Sequence, residues 1–449
     1  MSSTVSAAYR AAMEYLSSFI NYESKMPPSP EHARFNLDRM RWLLAELGDP
    51  QQRFESVVVA GTKGKGSTCA LLESILRAAG HRTGLYTSPH LHVWRERIQV
   101  DRTLITQAEV VEYVELLKPI VASAGEQDAP TYFELTTALA LRYFADCRID
   151  IAVLEIGLGG RYDSVNVVTP LVSLITPISF DHMAVLGATL AEIAAAKAGI
   201  IKPHTPVVIT PQWLEAEQVI RAEAHQQDAP LFRAELEGLR RIGRDDQPDQ
   251  RAFWYPIPIH AEQIGLGGAH QLENARAAVG AALLLRQQGF IIDEAALTTG
   301  LREARWPGRF EIAAREPMIV LDGAMNGASA QRLREALSTL PANRLILVLG
   351  TSRDKDMTAI ARELAPGASA VVLTRSYHPR AADPATLAGH VRPFLAAPDV
   401  PLLLTEDVPT ALAEARRLAE RDDLICVTGS LFPVAAAREA LGLAAELDD

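Results

Sequence analysis

Apolar runs of strand length alternate with stretches of helical period along most of this chain. Ser56–Ala60 (SVVVA), Asp150–Ile156 (DIAVLEI), Leu171–Thr176 (LVSLIT) and Pro206–Thr210 read as strands. Helical patterns cover about Ser67–Ala79, Thr189–Gly199 and His270–Gln288. A second series begins near Pro317, with PMIVLDG, RLILVLG, ASAVVLT, PLLLT and DLICVTG as its strands. Strands this uniformly apolar are buried on both faces, which calls for a parallel sheet covered by helices. At 449 residues the chain is too long for one core, so two α/β domains meeting at a cleft are expected. From about Leu231 to Ile264 the alternation weakens, and the segment reads as a hairpin-like insertion with an exposed charged turn, RRIGRDDQPDQR. FWYPIPI suits an edge strand because proline cannot donate to a ladder. Ala304–Arg309 (ARWPGR) carries Pro307 and Gly308 between the two series and is the expected linker. The expected division is therefore 1–303, a linker at 304–310, and 311–449.

Charge and cysteine usage exclude several classes. A net charge of −11 gives no basic surface for nucleic acid or for an anionic membrane, so any bound anion needs a locally positive pocket. Cys69, Cys147 and Cys426 show no C-x-x-C spacing, which offers neither a disulfide framework nor a zinc site. The N-terminal MSSTVSAAYRAAMEYL lacks the build of a signal peptide, and no apolar run is of membrane-spanning length. A cytoplasmic protein without nucleic-acid or membrane partners is expected.

The positive pocket has a candidate in Gly61-Thr62-Lys63-Gly64-Lys65-Gly66-Ser67, followed by Thr68, between an expected strand and an expected helix. Glycines let successive N–H groups turn toward one point, and the helix N-terminus adds positive potential there. Lys65 can reach terminal phosphates, and the Ser67 hydroxyl can bind Mg²⁺. Gly66 separates lysine from serine, so the string is not a strict Walker A motif. Glu155 ends the strand DIAVLEI, and Asp181-His182 follows the next one. Acidic groups at the carboxyl ends of parallel strands face the crevice where α/β proteins bind ligands. A carboxylate and an imidazole there suit Mg²⁺ when phosphate and water complete its shell. The alternative makes Glu155 a partner of Arg161 and His182 a helix-leading polar residue.

VAGTKGKGSTCALLESILRAAGHRTGLYTSPHL, EIGLGGRYDSVN and SFDHMAVLGATLAEIAAAKAGIIK resemble, in order, signature regions of the folylpolyglutamate/dihydrofolate synthases of the Mur ligase superfamily. Glu96-Arg97-Ile98, HQLEN (270–274), WPGR (306–309), GTSRDKD (350–356), HPRA (378–381) and TGSLF (428–432) extend the resemblance from about Tyr22 to Leu441. It implies a two-domain α/β Mur-ligase-like architecture, with an N-terminal P-loop-type ATPase domain and a smaller C-terminal Rossmann-like domain. By the same resemblance, Ser67, Glu155 and His182 are Mg²⁺ ligands. Lys197 occupies the position carbamylated in many relatives, where it helps hold a second ion. Asn274 is implied to contact adenine, Arg309 the ATP phosphates and Asp322 the ribose. Ser88, Pro89, His90 and Arg97 fall on the folate side, and Asp354, Lys355, Ser430 and Phe432 near the cleft.

The implied chemistry is transfer of the ATP γ-phosphate to a carboxylate, then attack on the acyl phosphate by the amino group of L-glutamate. Lys65, Glu155, His182, Lys197 and Arg309 carry that step. The implied substrates are ATP, glutamate and a folate or dihydropteroate, and the implied state is a monomer. One segment departs from the pattern. Asp322-Gly-Ala-Met325-Asn-Gly327-Ala-Ser329 stands where the family has DGAHNPHA, so Met325 replaces a histidine that faces the nucleotide and Gly327 replaces the proline. Val165 also replaces a usual threonine. Two alternatives stay open, a Mur-type ligase on a non-folate substrate and a nucleotide-binding paralogue without ligase activity. A peptidoglycan ligase is disfavoured because its usual leading domain has no room before Gly61.

Overall fold

The computed structural model describes residues 2–23, 36–125, 129–243, 254–257 and 259–444. Ten strands form the first sheet among these residues, in the order Trp254–Pro256, Gly238–Ile242, Leu231–Ala234, Val207–Ile209, Val172–Ile175, Glu55–Ala60, Ile151–Glu155, Thr83–Tyr86, Ile98–Val100 and Thr103–Leu104. Neighbours from Leu231–Ala234 to Thr83–Tyr86 pair parallel, and the two strands beyond each end pair antiparallel. The middle strand shows why the sequence reads as uniformly apolar there. Val57 and Val59 enter one core with Leu71, Leu72 and Ile75 of the helix Lys65–Ala78 and with helices His270–Gln287 and Glu294–Glu303. Val58 and Ala60 point the other way, into a core with the helix Tyr132–Asp146. Period-2 side chains buried on both faces leave no polar position.

The segment expected to be an insertion is instead the antiparallel border of this sheet, since Leu231–Ala234 pairs parallel with Val207–Ile209 before the chain doubles back. Trp254–Pro256 is the terminal strand, as its prolines suggested. Most of RRIGRDDQPDQR lies outside the described residues.

The second sheet runs Glu311–Arg315, Met318–Leu321, Leu424–Thr428, Leu345–Leu349, Ala370–Leu373 and Leu402–Leu404. All its pairs are parallel except the opening hairpin. Its first strand, EIAAR, starts before the expected Pro317. Its residues are only partly buried, and its pairing shifts register between Ile312 and Ala314. Such a half-solvated border strand carries little apolar signal.

The two sheets meet through side chains as well as the chain crossing. Leu91 packs into the core of the second sheet beside Val434. The His92 imidazole lies between two residues of the last helix, Leu431–Ala440: Arg438 Nε is 3.2 Å from its Nε2, and its Nδ1 is 3.2 Å from Glu439. Arg438 also pairs with Glu311.

Candidate active site

The loop after Glu55–Ala60 is shaped by three close approaches. Gly61 (φ +140°) faces Thr176, whose Oγ1 would lie 1.9 Å from a Cβ there. Gly64 (φ +91°) caps the helix Lys65–Ala78, and a Cβ on it would stand 2.3 Å from Asn274 Oδ1. At Gly66 a Cβ would meet the Trp306 indole at 2.9 Å. Only glycine fits a left-handed backbone pressed against a neighbour. The result is a helix N-terminus with Lys65 and the buried Ser67 and Thr68 on its first turn. Thr68 Oγ1 is buried with no hydrogen-bond partner.

Glu155 lies at the carboxyl end of the adjacent strand, level with Val59. It is buried, takes a hydrogen bond from the Ser88 N–H at 3.2 Å, and faces Lys65 Nζ at 3.8 Å. Burial raises its pKa despite Lys65. Arg161 pairs instead with Glu223 at 2.7 Å, so it is not the partner of Glu155. Lys63 Nζ holds Asp181 at 3.1 Å. His182 leads the short helix Met183–Leu186 without a capping bond, half exposed, with burial and nearby lysines lowering its pKa. Lys197 is buried on the helix Leu190–Ala198 and donates to the Gly61 carbonyl at 2.8 Å. Burial, with Lys65 beside it, brings its pKa down to about 7.

Three side chains here escaped the sequence reading. Asp163 accepts from the N–H groups of Leu158 (2.9 Å) and Val165 (3.0 Å), folding the glycine-rich turn after Glu155 onto the site. Gln271 Nε2 points at Ser67 Oγ (3.4 Å) and its Oε1 accepts from Asn274 (2.8 Å). The three-residue spacing to Asn274 on one helix was the available signal. Glu23 binds Arg97 through both oxygens, at 2.9 and 2.7 Å.

That last contact bears on the folate-side candidates. Arg97 is buried with its guanidinium on Glu23, and its Nε donates to His90 Nδ1 at 3.0 Å. The structure thus groups Arg97 with His90 and with Glu23, whose carboxylate is partly exposed. Ser88, joined to Pro89 by a cis peptide bond, touches Glu155 and borders the phosphate loop.

Across the linker, Arg309 lies near enough to Glu155, Lys63 and Asp322 to shift the pKa of each. Asp322 accepts from the N–H groups of Phe310 and Ala324, both at 2.9 Å, which fastens the second sheet to the linker's end. Half-buried Met325 follows. Its N–H donates to Ser329 Oγ at 3.0 Å, while Ser329 N–H donates to Asn326 Oδ1 at 2.9 Å. The altered loop is therefore a complete capping box on the helix Gly327–Leu337. Lys355 influences Asp181 and His182 from the second domain, whereas Asp354 pairs with Lys355 and Arg380 on a partly exposed turn. Phe432 stacks on His378 with ring centres 3.8 Å apart. Ser430 occupies the N-cap position of the helix Leu431–Ala440 but makes no capping hydrogen bond, contrary to what its residue type suggests.

No cluster of three or more His, Cys, Asp or Glu side chains among the described residues is arranged to hold a metal. The residue types present fit Mg²⁺ in another way: a buried carboxylate whose positive partner is 3.8 Å away, and a serine hydroxyl on the first turn of the helix that the glycine loop opens.

This arrangement is matched in known proteins. Residues 59–282 match the Mur ligase middle domain and residues 308–431 the Mur ligase glutamate ligase domain. A probable bifunctional folylpolyglutamate synthase/dihydropteroate synthase of Halobacterium salinarum is 37% identical over 435 residues, covering 91% of this chain. The chain spans only 51% of that relative's length. The dihydrofolate synthase/folylpolyglutamate synthase of Bacillus subtilis is 38% identical over 353 residues, 77% of this chain and 82% of that protein. Mycobacterium tuberculosis folylpolyglutamate synthase, solved with ADP and AMPPCP, superposes with a TM-score of 0.80 at 31% identity, covering 97% of this chain and 98% of that one. The ordered motifs, the two sheets and these similarities place the chain in the folylpolyglutamate synthase/dihydrofolate synthase family of the Mur ligase superfamily.

Proposed function

We propose that this protein is an ATP-dependent ligase that joins L-glutamate to the carboxylate of a folate, as a folylpolyglutamate synthase, a dihydrofolate synthase or both. The observation that carries the reading is the glycine cradle with Lys65 after one strand end and Glu155 at the next, 3.8 Å apart, with Arg309 of the linker close enough to lower the Glu155 pKa. In this reading residues 1–303 bind ATP, 304–310 link, and 311–449 form the glutamate-ligase domain. Gly61–Thr68 hold the phosphates, Asn274 the adenine, and Asp322 with Met325 the ribose side. Met325 offers a soft apolar surface where relatives have histidine.

The γ-phosphoryl group passes from ATP to the substrate carboxylate, leaving ADP and an acyl phosphate. The glutamate amine then attacks the carbonyl carbon, and phosphate departs with formation of the amide. Lys65 and Arg309 would neutralise charge on the transferred group, with Arg309 reaching it from the linker between the two domains. Ser67, Glu155 and His182 would hold Mg²⁺, which when bound neutralises phosphate charge and orients the γ-phosphoryl group. Lys197 has an amine fraction that is substantially neutral near pH 7, the form that adds CO₂. Its carbamate would supply an anion for a second ion, at the expense of its bond to Gly61. Ser88, Pro89, His90 and Arg97 lie on the folate side, with Arg97 acting through His90. Asp354, Lys355, Ser430 and Phe432 border the glutamate side. We read the enzyme as a cytoplasmic monomer with three free thiols.

ADP release with ATP, Mg²⁺ and glutamate, comparing tetrahydrofolate, dihydropteroate and no acceptor, tests the proposal. Acceptor-dependent turnover and a product heavier by one glutamate are expected, and K65A should abolish both. Nucleotide binding without such turnover would leave the paralogue reading in its place.

A further inference from the structure

The strands Ile98–Val100 and Thr103–Leu104 are joined by a two-residue turn, Asp101-Arg102, with both residues left-handed (φ +48° and +65°). Turns of this kind favour glycine at the second position. Arginine there is strained, and its side chain is spent on something other than the turn. The Arg102 guanidinium points away from its own hairpin to the start of the interdomain linker, where Nη2 donates to the Arg305 carbonyl at 2.7 Å. It lies over the Trp306 ring at 5.7 Å, and its Nε is 3.8 Å from Glu73 Oε2 on the phosphate-loop helix. Glu73 is fully buried and is otherwise held by Arg77 and Thr83. One side chain thus joins the phosphate-loop helix to the linker. Beyond it, Trp306 presses on Gly66, and Arg309 follows three residues later.

We propose that Arg102 is a positioning residue for phosphoryl transfer: it fixes the linker to the phosphate-loop helix and so sets where Arg309 meets the terminal phosphate. The inference rests on the ATP site proposed above. Glu73 Oε2 and Arg102 Nη1 are both buried without a hydrogen bond, so a shift of the hairpin toward the helix would tighten the pair. The contact is therefore suited to strengthening as the linker settles on bound nucleotide. Without the guanidinium the linker keeps its sequence and length but loses its anchor upstream of Pro307. Arg309 is then free to lie off the γ-phosphate, while the loop that cradles the inner phosphates is untouched.

R102G is the informative variant, because glycine takes the left-handed turn without strain and removes only the side chain. Calorimetric titration of the full chain with ADP and with the non-hydrolysable analogue AMPPNP, both with Mg²⁺, reads the effect without turnover. The wild type should bind AMPPNP more tightly than ADP. R102G should keep its ADP affinity but lose that preference, and kcat should fall by about tenfold or more with little change in KM for ATP. R102K, which restores one donor and the charge, should recover part of both. Should R102G fold poorly, E73Q removes the other charge at constant size and should weaken AMPPNP selectively. The proposal is overturned if R102G retains the preference and kcat, if it loses ADP and AMPPNP affinity alike, or if the wild type shows no preference. A wild type that discriminates AMPPNP yet shows no glutamate-dependent ADP release refutes the ligase reading alone, and the R102G comparison still decides the role of Arg102.

Discussion

Gly64 shows how one residue serves both fold and site. Its φ of +91° and the Asn274 amide at 2.3 Å from a notional Cβ leave no room for alanine. G64A should cost about 1–3 kcal/mol of stability and abolish ADP binding, because the loop would have to turn its N–H groups away. Chemical denaturation with an ADP titration measures both; an unchanged midpoint would mean that the loop relaxes freely. Asp163 gives a prediction in pH. Burial lifts its pKa to about 6, above the ordinary carboxylate value. Between about pH 4 and 6 the folded chain thus holds a proton that the unfolded chain has released. Its contribution is full below the unfolded pKa and is lost as pH rises through 6. The urea midpoint of the wild type should therefore fall relative to D163N across that window. Parallel midpoints for the two proteins would remove Asp163 as the cause. The GRYDSVN segment made this aspartate visible but not its burial, because the N–H groups that fold around it belong to a turn formed only in the tertiary structure.

At the scale of elements, the helix Gly327–Leu337 begins in the loop whose sequence departs from the resemblance. Asn326 caps it, and Ser329 Oγ accepts the N–H groups of Met325 (3.0 Å) and Asn326 (3.1 Å). The replacement residues noted in the sequence thus form a self-consistent cap on this helix. S329A should cost about 1 kcal/mol and lower the melting temperature by about 2–4 °C, as read by thermal denaturation. No change would assign the cap to Asn326 alone. Element legibility followed burial on both faces. Glu55–Ala60 and Ile151–Glu155 read clearly, while Glu311–Arg315 did not, because none of its five residues is fully buried and two face water. The hairpin near 231–242 was legible as strands but not as part of the main sheet, since pairing partners distant in sequence leave no local trace.

For the whole molecule the decisive feature is the joint between the two sheets. Arg438 is nearly buried, pairs with Glu311, and bonds His92 of the first domain. Glu311 also accepts the Gly308 N–H at 2.8 Å, so the same cluster holds the linker's end. R438A leaves Glu311 without its cation and should cost about 3 kcal/mol, the low end for a buried pair because Glu311 is partly exposed. Scanning calorimetry should show the second domain unfolding earlier; a single unshifted transition would place the joint's strength elsewhere. The sequence by itself determined the alternation that gives two parallel sheets, the glycine loop between strand and helix, and the ordered motifs that mark the family. These are local in the chain, carried by periodicity and backbone freedom. Only the tertiary structure decided that Glu155 faces Lys65 rather than Arg161, that Lys197 holds the Gly61 carbonyl, and that Arg102 ties linker to phosphate-loop helix. Those contacts join residues far apart in the chain, and which buried charge finds which partner is set by the packing that desolvates both.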